Sequence, residues 1–344
     1  MFLLDSRAIK PGDTFVAVKG ENVDGRDYID QARANGAVDV IVGQEELWAR
    51  AKAYRKTLGA KVVGITGSAG KTTTKEFLKT FLDCYGTEGN FNNHLGLPLT
   101  ILNAPQDGKF LVVELGTNHP GEIAALCDIA EPDVGVICSI GTAHLEFFKT
   151  QAGIAEEKGE LFARTKDFNA APRTCNQLDI LRKKSRVELV ECAGECGLEC
   201  PIPGEHNRSN MALAYEVARK LGASHAECAE RLKNFKLPGA RWRKVQVGDA
   251  TFIDDSYNAN PDSMKAAIDA FEGDVVVLGD MGELGEESAR LHREVLDYAY
   301  AKGKQVITVG KQFARAAIER SGAKEVLIKG SHAMNLTSLT ERNN

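Results

Sequence analysis

The chain has 344 residues, enough for two or three domains at about 150 residues each, which excludes a single small binding module. Charged residues make up 26% and hydrophobic residues 43%, a globular composition that excludes a fibre or a largely disordered chain. The 43 Lys and Arg residues against 48 Asp and Glu residues give a net charge of −5, which argues against a nucleic-acid partner bound by a basic surface.

The order of the apolar runs predicts a parallel sheet. Short stretches rich in Val and Ile alternate with stretches of helical period, which is typical of βα units and of an α/β fold. Two short strands are predicted over 14–18 and 38–42, around a segment rich in Gly and Asp. Further strands are predicted over 61–66, 110–114, 134–139, 275–278, 305–309 and 325–329, and an amphipathic helix over 210–221.

Two breaks divide these elements into three predicted domains. The first break follows a basic helical run near Leu58, and the second lies at Pro238-Gly239. We therefore predict a small N-terminal domain over 1–58, a central domain over 59–238 and a C-terminal domain over 239–344. Because ligands bind at the carboxyl ends of strands in open parallel sheets, polar residues at those ends are the first candidates for a site.

The apolar runs are far shorter than the ~20 residues that a membrane-spanning helix needs. At the N-terminus, Asp5 and Arg7 follow Met1 too closely for a signal peptide. We therefore expect a cytoplasmic protein without membrane insertion.

The eight cysteines fall into two groups. Four lie in apolar strand or helix patterns and are interpreted as buried core residues: Cys84, Cys127, Cys138 and Cys228. The other four could hold a zinc ion, although their spacing is not that of a CxxC knuckle, or they could be reduced thiols in a linker. These are Cys175, Cys192, Cys196 and Cys200.

A glycine-rich loop joins the strand predicted over 61–66 to a stretch with an apolar helical stripe. This context is typical of a phosphate-binding P-loop, in which backbone N–H groups and a helix N-terminus face the phosphates, a Lys reaches the β- and γ-phosphates and a hydroxyl binds Mg²⁺. The strict pattern has Gly where Ile65 stands, so the loop is a variant, and a glycine turn with an accidental Lys-Thr is the alternative. The residues predicted to bind the ATP phosphates are Gly67, Ser68, Ala69, Gly70, Lys71, Thr72 and Thr73.

Metal ligands for such a site are expected at neighbouring strand ends. Glu114 ends the strand predicted over 110–114, and His144 follows the strand and turn that begin at Val134. Either residue alone is more often a surface or packing residue, but together beside a P-loop they are candidate Mg²⁺ ligands, although His is unusual for a hard cation. Their presence beside Thr72 suggests two Mg²⁺ ions.

An ordered series of motifs continues to the C-terminus. It includes Asn90-Phe91-Asn92-Asn93 and Tyr257-Asn258-Ala259-Asn260-Pro261. In these motifs the chain resembles the Mur ligases of peptidoglycan synthesis, and those two segments resemble the branch that joins D-alanyl-D-alanine to UDP-N-acetylmuramoyl-tripeptide. The matching segments are 5–7, 11–17, 24–25, 64–76, 89–98, 114–123, 143–146, 158–160, 204–210, 254–264, 278–285 and 329–331.

The resemblance implies a three-domain Mur ligase architecture, with a central P-loop sheet, a small α/β domain for the UDP-sugar and a Rossmann-like C-terminal domain. It also implies an ADP-forming ligase that activates a carboxylate with ATP as an acyl phosphate, which the amine of the dipeptide then attacks. Lys71 would neutralise the transferring phosphate, and Lys158, carbamylated in the family, would join Thr72, Glu114 and His144 as a metal ligand. Without the family, Lys158 would be interpreted as a solvated residue on a charged helix.

Further roles follow from the resemblance alone. The asparagines Asn207 and Asn210 match positions on the adenine side of ATP, although by themselves they suggest only helix capping. The positions by which the C-terminal domain closes on the nucleotide are matched by Arg241, Asp255 and Tyr257. Substrate contacts are implied for Ser6, Arg7, Asn92, Asn93, Asn258 and Asn260, although Ser6 and Arg7 could equally form a turn and a surface ion pair.

Three departures from the family pattern affect the substrate more than the catalytic class. The strand that usually precedes Asp5 is expected to be missing, the stretch between Asn176 and Gly204 is short, and the segment before Lys329 is compressed. The alternatives are a sister ligase that adds another amino acid or acts on another carboxylate, a non-catalytic nucleotide-sugar-binding homologue, and a P-loop NTPase coupled to motion. The expected partners are small-molecule substrates, and a monomer is expected.

Overall fold

The computed structural model describes residues 1–20, 23–191, 196–308, 325–330 and 336. These residues form three β-sheets in chain order, each packed with helices. The α/β class predicted from the sequence is confirmed, because all strand pairs of the central sheet are parallel. Among the described residues, no helix combines the length and the apolar character needed to cross a bilayer.

The N-terminal sheet has three parallel strands in the order β1-β2-β3. The prediction that no strand precedes Asp5 is wrong, since β1 pairs with β2 through Phe2 and Thr14. The side chain of Asn103 holds this strand on the central domain, because it accepts from Phe2 N at 2.9 Å and donates to Phe2 O at 3.0 Å. The elements are β1 (Phe2–Leu3), β2 (Thr14–Ala17), α1 (Ile29–Ala34), β3 (Asp39–Val42) and α2 (Gln44–Arg55).

The central sheet has six parallel strands in the order β5-β6-β4-β7-β8-β9, with apolar cores on both faces. Its middle strands are almost entirely buried, as their continuous apolar sequences predict. The strands are β4 (Lys61–Thr66), β5 (Tyr85–Gly86), β6 (Phe110–Glu114), β7 (Val134–Ile137), β8 (Phe168–Pro172) and β9 (Val187–Val190). The helices are α3 (Lys71–Leu82), α4 (Gly96–Leu102), α5 (Glu122–Ala130), α6 (Leu145–Phe148), α7 (Gln151–Arg164), α8 (Leu178–Lys184), α9 (Glu205–Lys220) and α10 (His225–Leu232).

Helix α9 begins five residues before its predicted start. Its N-cap is Gly204, whose φ of 101° ends the preceding loop in a conformation that favours glycine. Asn207 and Asn210 therefore lie inside the first two turns, and interpreting them as capping residues is wrong. Neither side chain makes a cap hydrogen bond at the start of the helix.

The C-terminal sheet has the order β10-β11-β14-β12-β13 within the described residues. Strand β10 is antiparallel to β11 and the other pairs are parallel, which suits a Rossmann-like domain with one antiparallel edge. The strand predicted over 305–309 ends earlier, and its last residue lies outside the described residues. The elements are β10 (Arg243–Val247), β11 (Ala250–Asp254), α11 (Pro261–Ala270), β12 (Val275–Leu278), α12 (Ser288–Ala301), β13 (Gln305–Ile307) and β14 (Glu325–Lys329).

The first turn of α11 packs directly on the central domain. The carboxylate of Asp262 accepts from Thr142 N at 2.9 Å and from Thr142 Oγ1 at 3.1 Å. Asn260, the N-cap of α11, also donates to Ser68 O at 3.4 Å. A Cβ at Gly141 would lie 2.3 Å from Asp262 Oδ2, so this close approach requires glycine. We call this set of contacts the α11 dock.

We predict that Gly141→Ala opens the α11 dock without unfolding the central domain. The added methyl group displaces the Asp262 carboxylate and removes its two hydrogen bonds to Thr142, a loss of about 1–3 kcal/mol of contact between the domains. Small-angle scattering should show a larger radius of gyration at an unchanged far-UV spectrum. Gly59→Ala is the matched control, because a Cβ there meets no atom within 4 Å. An unchanged radius for Gly141→Ala would contradict the assignment.

Candidate active site

The glycine-rich loop joins β4 to α3 as predicted. Gly70 is the N-cap of α3 with a φ of 83°, and a Cβ there would lie 2.4 Å from Asn210 Oδ1. The Lys71 ammonium folds back over the loop and donates to Gly67 O at 2.7 Å. The loop is therefore a compact turn at a helix N-terminus, the arrangement that receives phosphate groups.

The strand-end carboxylate Glu114 meets the helix at Thr72. Thr72 Oγ1 donates to Glu114 Oε2 at 3.0 Å, and Asn92 Nδ2 donates to Glu114 Oε1 at 2.9 Å. Glu114 is 2% exposed, so these two hydrogen bonds hold a buried carboxylate in one orientation. The structure thus brings Thr72 and Glu114 together as the sequence predicts.

The two neighbouring asparagines have different surroundings. Asn92 contacts the predicted metal ligand Glu114, whereas Asn93 Oδ1 accepts from Leu95 N at 3.1 Å and from Gly96 N at 2.9 Å at the start of α4. Asn93 therefore organises the loop and helix start rather than pointing its amide oxygen outward.

Lys75 is a buried cation that the sequence analysis missed. Its side chain is inaccessible to solvent, and its Nζ lies 3.0 Å from Glu76 Oε1 and 3.9 Å from Glu114 Oε2. The available signal was its position one turn after Lys71 and one turn before the apolar residues of α3. Lys75 balances part of the negative charge that Glu114 brings into the core.

Lys158 on α7 is fully buried, so interpreting it as a solvated lysine is wrong. Among the described residues, its Nζ has no hydrogen-bond partner. Burial, with a smaller contribution from the nearby Lys71, lowers the pKa of Lys158 to about 7, while Glu157 opposes the shift. An amine held in this state at neutral pH is partly uncharged and nucleophilic.

Glu157, beside Lys158, was also missed. Its carboxylate accepts from Gly121 N at 2.7 Å and from Ile123 N at 2.8 Å, and so caps the N-terminus of α5 from another helix. These two hydrogen bonds fix the loop that follows Glu114.

His144 lies where the central and C-terminal domains meet. It adopts a left-handed φ of 64°, and its Nδ1 contacts the carboxylate of Glu283 from the C-terminal domain. Burial lowers the pKa of His144, the contact with Glu283 raises it, and the nearby Lys158 and Lys71 lower it. Glu283 lies in the segment 278–285 that matches the family, but its sequence pattern did not predict this contact.

The C-terminal domain also reaches the phosphate loop through Arg241. Its Nη2 donates to Thr72 Oγ1 at 3.2 Å, and its guanidinium carbon lies 3.5 Å from the ring centroid of Tyr257. The stacking holds a flat cation beside the helix N-terminus, where it can meet a phosphate oxygen. The structure thus brings Arg241 and Tyr257 to the site together.

Asp255 and Asn258 surround the buried side chain of Lys329. Lys329 Nζ donates to Asp255 Oδ2 at 3.0 Å and to Asn258 O at 3.2 Å. Asp255 Oδ1 also accepts from Trp242 N at 3.3 Å, so this carboxylate fixes the loop that carries Tyr257. Asn258 Oδ1 accepts from Ala259 N at 2.9 Å.

A cavity of about 1120 Å³ opens beside Arg241 and Tyr257, with Pro203, Phe235 and Trp242 among its other lining residues. Asn207 Nδ2 donates to Pro203 O at 2.7 Å at its edge. Since Asn210 abuts Gly70, the two asparagines lie between the cavity and the phosphate loop. Its aromatic and apolar lining residues suit an aromatic base.

The predicted sugar-nucleotide residues lie in the N-terminal domain. Ser6 Oγ donates to Gln31 Oε1 at 2.6 Å, and Arg7 pairs with Asp5 at 2.8 Å. Hydrogen bonds from Arg7 lower the pKa of Asp5 to about 2. In the described part of the chain, no hydrogen bond or ion pair joins Ser6 or Arg7 to the phosphate loop.

The cysteines do not form a metal site in the described residues. Cys175 is buried in the central core, Cys196 and Cys200 are half-buried thiols, and Cys192 lies outside the described residues. Among the residues that are described, no group of three His, Cys, Asp or Glu side chains is arranged to hold a metal. Of the four expected core cysteines, three are buried and Cys84 is half-buried.

Three family models match the chain in succession. The Mur ligase family catalytic domain matches residues 2–79, and the Mur ligase middle domain matches residues 65–190. The Mur ligase glutamate ligase domain matches residues 240–342. Together they match residues 2–190 and 240–342, which is most of the chain.

Similar proteins and solved structures belong to the same family as these models. The UDP-N-acetylmuramoyl-tripeptide--D-alanyl-D-alanine ligase of Escherichia coli (strain K12) is 32% identical, over 98% of this chain and 86% of that protein. The ligase of the same name from Bacillus subtilis (strain 168) is 32% identical, over 84% and 75%. A MurF structure from Acinetobacter baumannii has a TM-score of 0.86 at 29% identity, covering 98% of this chain and 92% of that one. The MurF ligase from Thermotoga maritima in complex with ADP has a TM-score of 0.82 at 28% identity, covering 98% and 95%. With its motifs, its three-domain α/β fold and these similarities, the chain belongs to the Mur ligase family.

Proposed function

We propose that the protein joins D-alanyl-D-alanine to UDP-N-acetylmuramoyl-tripeptide with ATP, forming ADP and phosphate, in peptidoglycan synthesis. The observation that carries this proposal is the convergence on Thr72, where the P-loop helix, the strand-end Glu114 and the C-terminal Arg241 meet. Such a convergence suits a nucleotide enclosed between two domains. The names of the relatives supply the two substrates.

The chemistry explains why the site concentrates positive charge. A carboxylate is a poor electrophile, so its oxygen first attacks the γ-phosphorus of ATP, the bond to ADP breaks, and an acyl phosphate forms. The amine of the dipeptide then attacks the acyl carbon, loses a proton and expels phosphate. In the first step the substrate carboxylate and the γ-phosphate, which are both anions, must be brought together. Lys71, Arg241 and the loop amides would do this by positioning the two groups and by neutralising their charge.

Mg²⁺ fits the oxygen donors at this place. The Thr72 hydroxyl and the Glu114 carboxylate are 3.0 Å apart and buried, and oxygen ligands are what this hard cation prefers. We propose Thr72, Glu114 and His144 as the residues that hold two Mg²⁺ ions with the nucleotide. When bound, the ions neutralise phosphate charge.

We further propose that Lys158 is carbamylated. A buried ammonium without a partner, close to the cation Lys71, is costly, and this geometry supports conversion to an anion. The neutral amine adds to CO₂, an N–C bond forms and a proton is released. The resulting carbamate would pair with Lys71 and offer oxygens to the second Mg²⁺.

The remaining assignments follow from this function. We propose that the cavity beside Asn207 and Asn210 takes the adenine, and that Asp255 acts by fixing the loop of Tyr257. We propose that the N-terminal domain binds the UDP-sugar, and domain limits of 1–58, 59–238 and 239–344. We also propose a cytoplasmic monomer that supports cell shape and division. The residues proposed to contact the two substrates are Ser6, Arg7, Asn92, Asn93, Asn258 and Asn260.

The proposed reaction predicts which substrates ATP turnover needs. Phosphate release from ATP should require both UDP-N-acetylmuramoyl-tripeptide and D-alanyl-D-alanine, because neither half reaction turns over alone. A matrix assay with each substrate omitted, and with single amino acids in place of the dipeptide, measures this. Turnover with single amino acids but not with the dipeptide would move the assignment to a sister ligase.

Lys71→Ala should lower kcat by about 10²–10³-fold or more, since it removes the cation that meets the transferring phosphate. Lys56→Ala is the control, because Lys56 is an exposed lysine on the N-terminal domain. Unchanged turnover in Lys71→Ala would contradict the mechanism.

The next prediction concerns the carbamate on Lys158. With ¹³C-labelled bicarbonate, a carbamate carbon signal should appear in the ¹³C NMR spectrum of the protein and be absent in Lys158→Ala. Because the pKa of the amine is about 7, the signal should be strong at pH 8 and decline below pH 7, where the ammonium form cannot react. A signal of equal intensity in Lys158→Ala would rule the assignment out.

A further inference from the structure

The chemistry above gives no role to Glu283, whose side chain meets His144 across the domain boundary. Glu283 lies in the loop between β12 and α12, and its carboxylate contacts Nδ1 of His144, which precedes α6. The backbones meet as well, because Glu146 N donates to Glu283 O at 3.2 Å. The contact is therefore a two-point junction between the central and C-terminal domains.

The backbone on both sides is held in an uncommon conformation for this contact. His144 and Glu283 have φ values of 64° and 59°, in a region that costs a non-glycine residue roughly 1–2 kcal/mol. Next to them, a Cβ at Gly285 would lie 3.2 Å from Glu146 Cα, so the two loops are in close contact. Residues held in such conformations cluster at functional sites.

The chemistry of the pair follows from the two nitrogens of imidazole. A neutral imidazole carries one N–H. The Glu283 carboxylate lies in ion-pair contact with Nδ1, without the alignment of a hydrogen bond, and its negative charge there favours the tautomer with the proton on Nδ1. The lone pair on Nε2 is then available to coordinate a metal ion. Carboxylates commonly orient metal-binding histidines in this way.

We propose that Glu283 is a positioning residue that sets the tautomer and orientation of His144 when the C-terminal domain closes. The proposal rests on the proposed function for the identity of the ion, but the contact itself is independent of it. The second metal position would be complete only in the closed arrangement. ATP bound to an open molecule would then lack one of the charges that its reaction needs, which protects it from idle hydrolysis.

The surroundings favour Glu283 for this role. The side chain of His144 is 14% exposed, so few groups can reach its Nδ1, and Glu283 is the carboxylate that does so. Other titratable side chains near the pair are Lys71, Lys158 and His119, and in the described residues none of them forms a hydrogen bond or ion pair with Nδ1 of His144.

The test is ¹⁵N NMR of the full-length protein labelled at histidine, saturated with MgADP. The His144 signals are identified by their loss in His144→Gln. The wild type should show a protonated Nδ1 and an unprotonated Nε2, and Glu283→Ala should lose this pattern. Glu283→Gln, whose amide oxygen can still accept a hydrogen bond from Nδ1, should keep it in part. A wild-type pattern in Glu283→Ala would overturn the proposal.

A second measurement uses Mn²⁺ as the probe. Titration of the ADP complex with Mn²⁺, followed by electron paramagnetic resonance, should show weaker binding of one ion by about 10–100-fold in Glu283→Ala. Glu286→Ala, an exposed carboxylate in the same loop, should bind as the wild type does. Equal Mn²⁺ affinity in Glu283→Ala and Glu286→Ala would also overturn the proposal. Neither measurement uses the proposed substrates, so a failed ligase assay and a failed tautomer test remain distinguishable.

Discussion

The hydrogen bond between Thr72 and Glu114 is the contact on which the rest of the site depends. It ties the first turn of α3 to the end of β6, and so brings the helix N-terminus and a buried carboxylate to one point. Arg241 donates to the same hydroxyl from the C-terminal domain, 169 residues away in sequence. Thr72 is thus the place where local loop geometry and domain arrangement are joined.

The local parts of the site could be predicted from the sequence. The phosphate loop, β4, β6 and the position of Glu114 depend on neighbouring residues and on the repeated βα order, so the pattern indicates them directly. Strands β1, β5, β8 and β9 and the hairpin β10–β11 were missed. Strands β1 and β5 have only two residues each, and the hairpin lies on an edge where half-exposed residues give a weak alternation. The Gly248-Asp249 turn between β10 and β11 was the available signal.

The contacts between distant segments could not be predicted. Glu157 caps α5 from another helix, and Glu283 contacts His144 across a domain boundary. Neither contact is predicted by a spacing between residues that are close in sequence. The family resemblance pointed to Lys158, but its complete burial depends on the packing of α7 against the sheet. The composition around Lys158 predicts a charged, solvated helix. In the folded protein one face of α7 packs against the central sheet, and Lys158 lies on that face.

The N-cap of α11 has a consequence for how variation in this protein is interpreted. The Asn260 side chain accepts from Ser263 N at 2.9 Å and also donates to Ser68 O at 3.4 Å. One side chain thus supports both the folding of a helix and the docking of a domain. Substitutions that remove both the acceptor oxygen and the amide donor will therefore combine the two effects in a mutational scan. Serine or aspartate would preserve the helix start and lose the amide donor, which makes asparagine the residue that satisfies both demands.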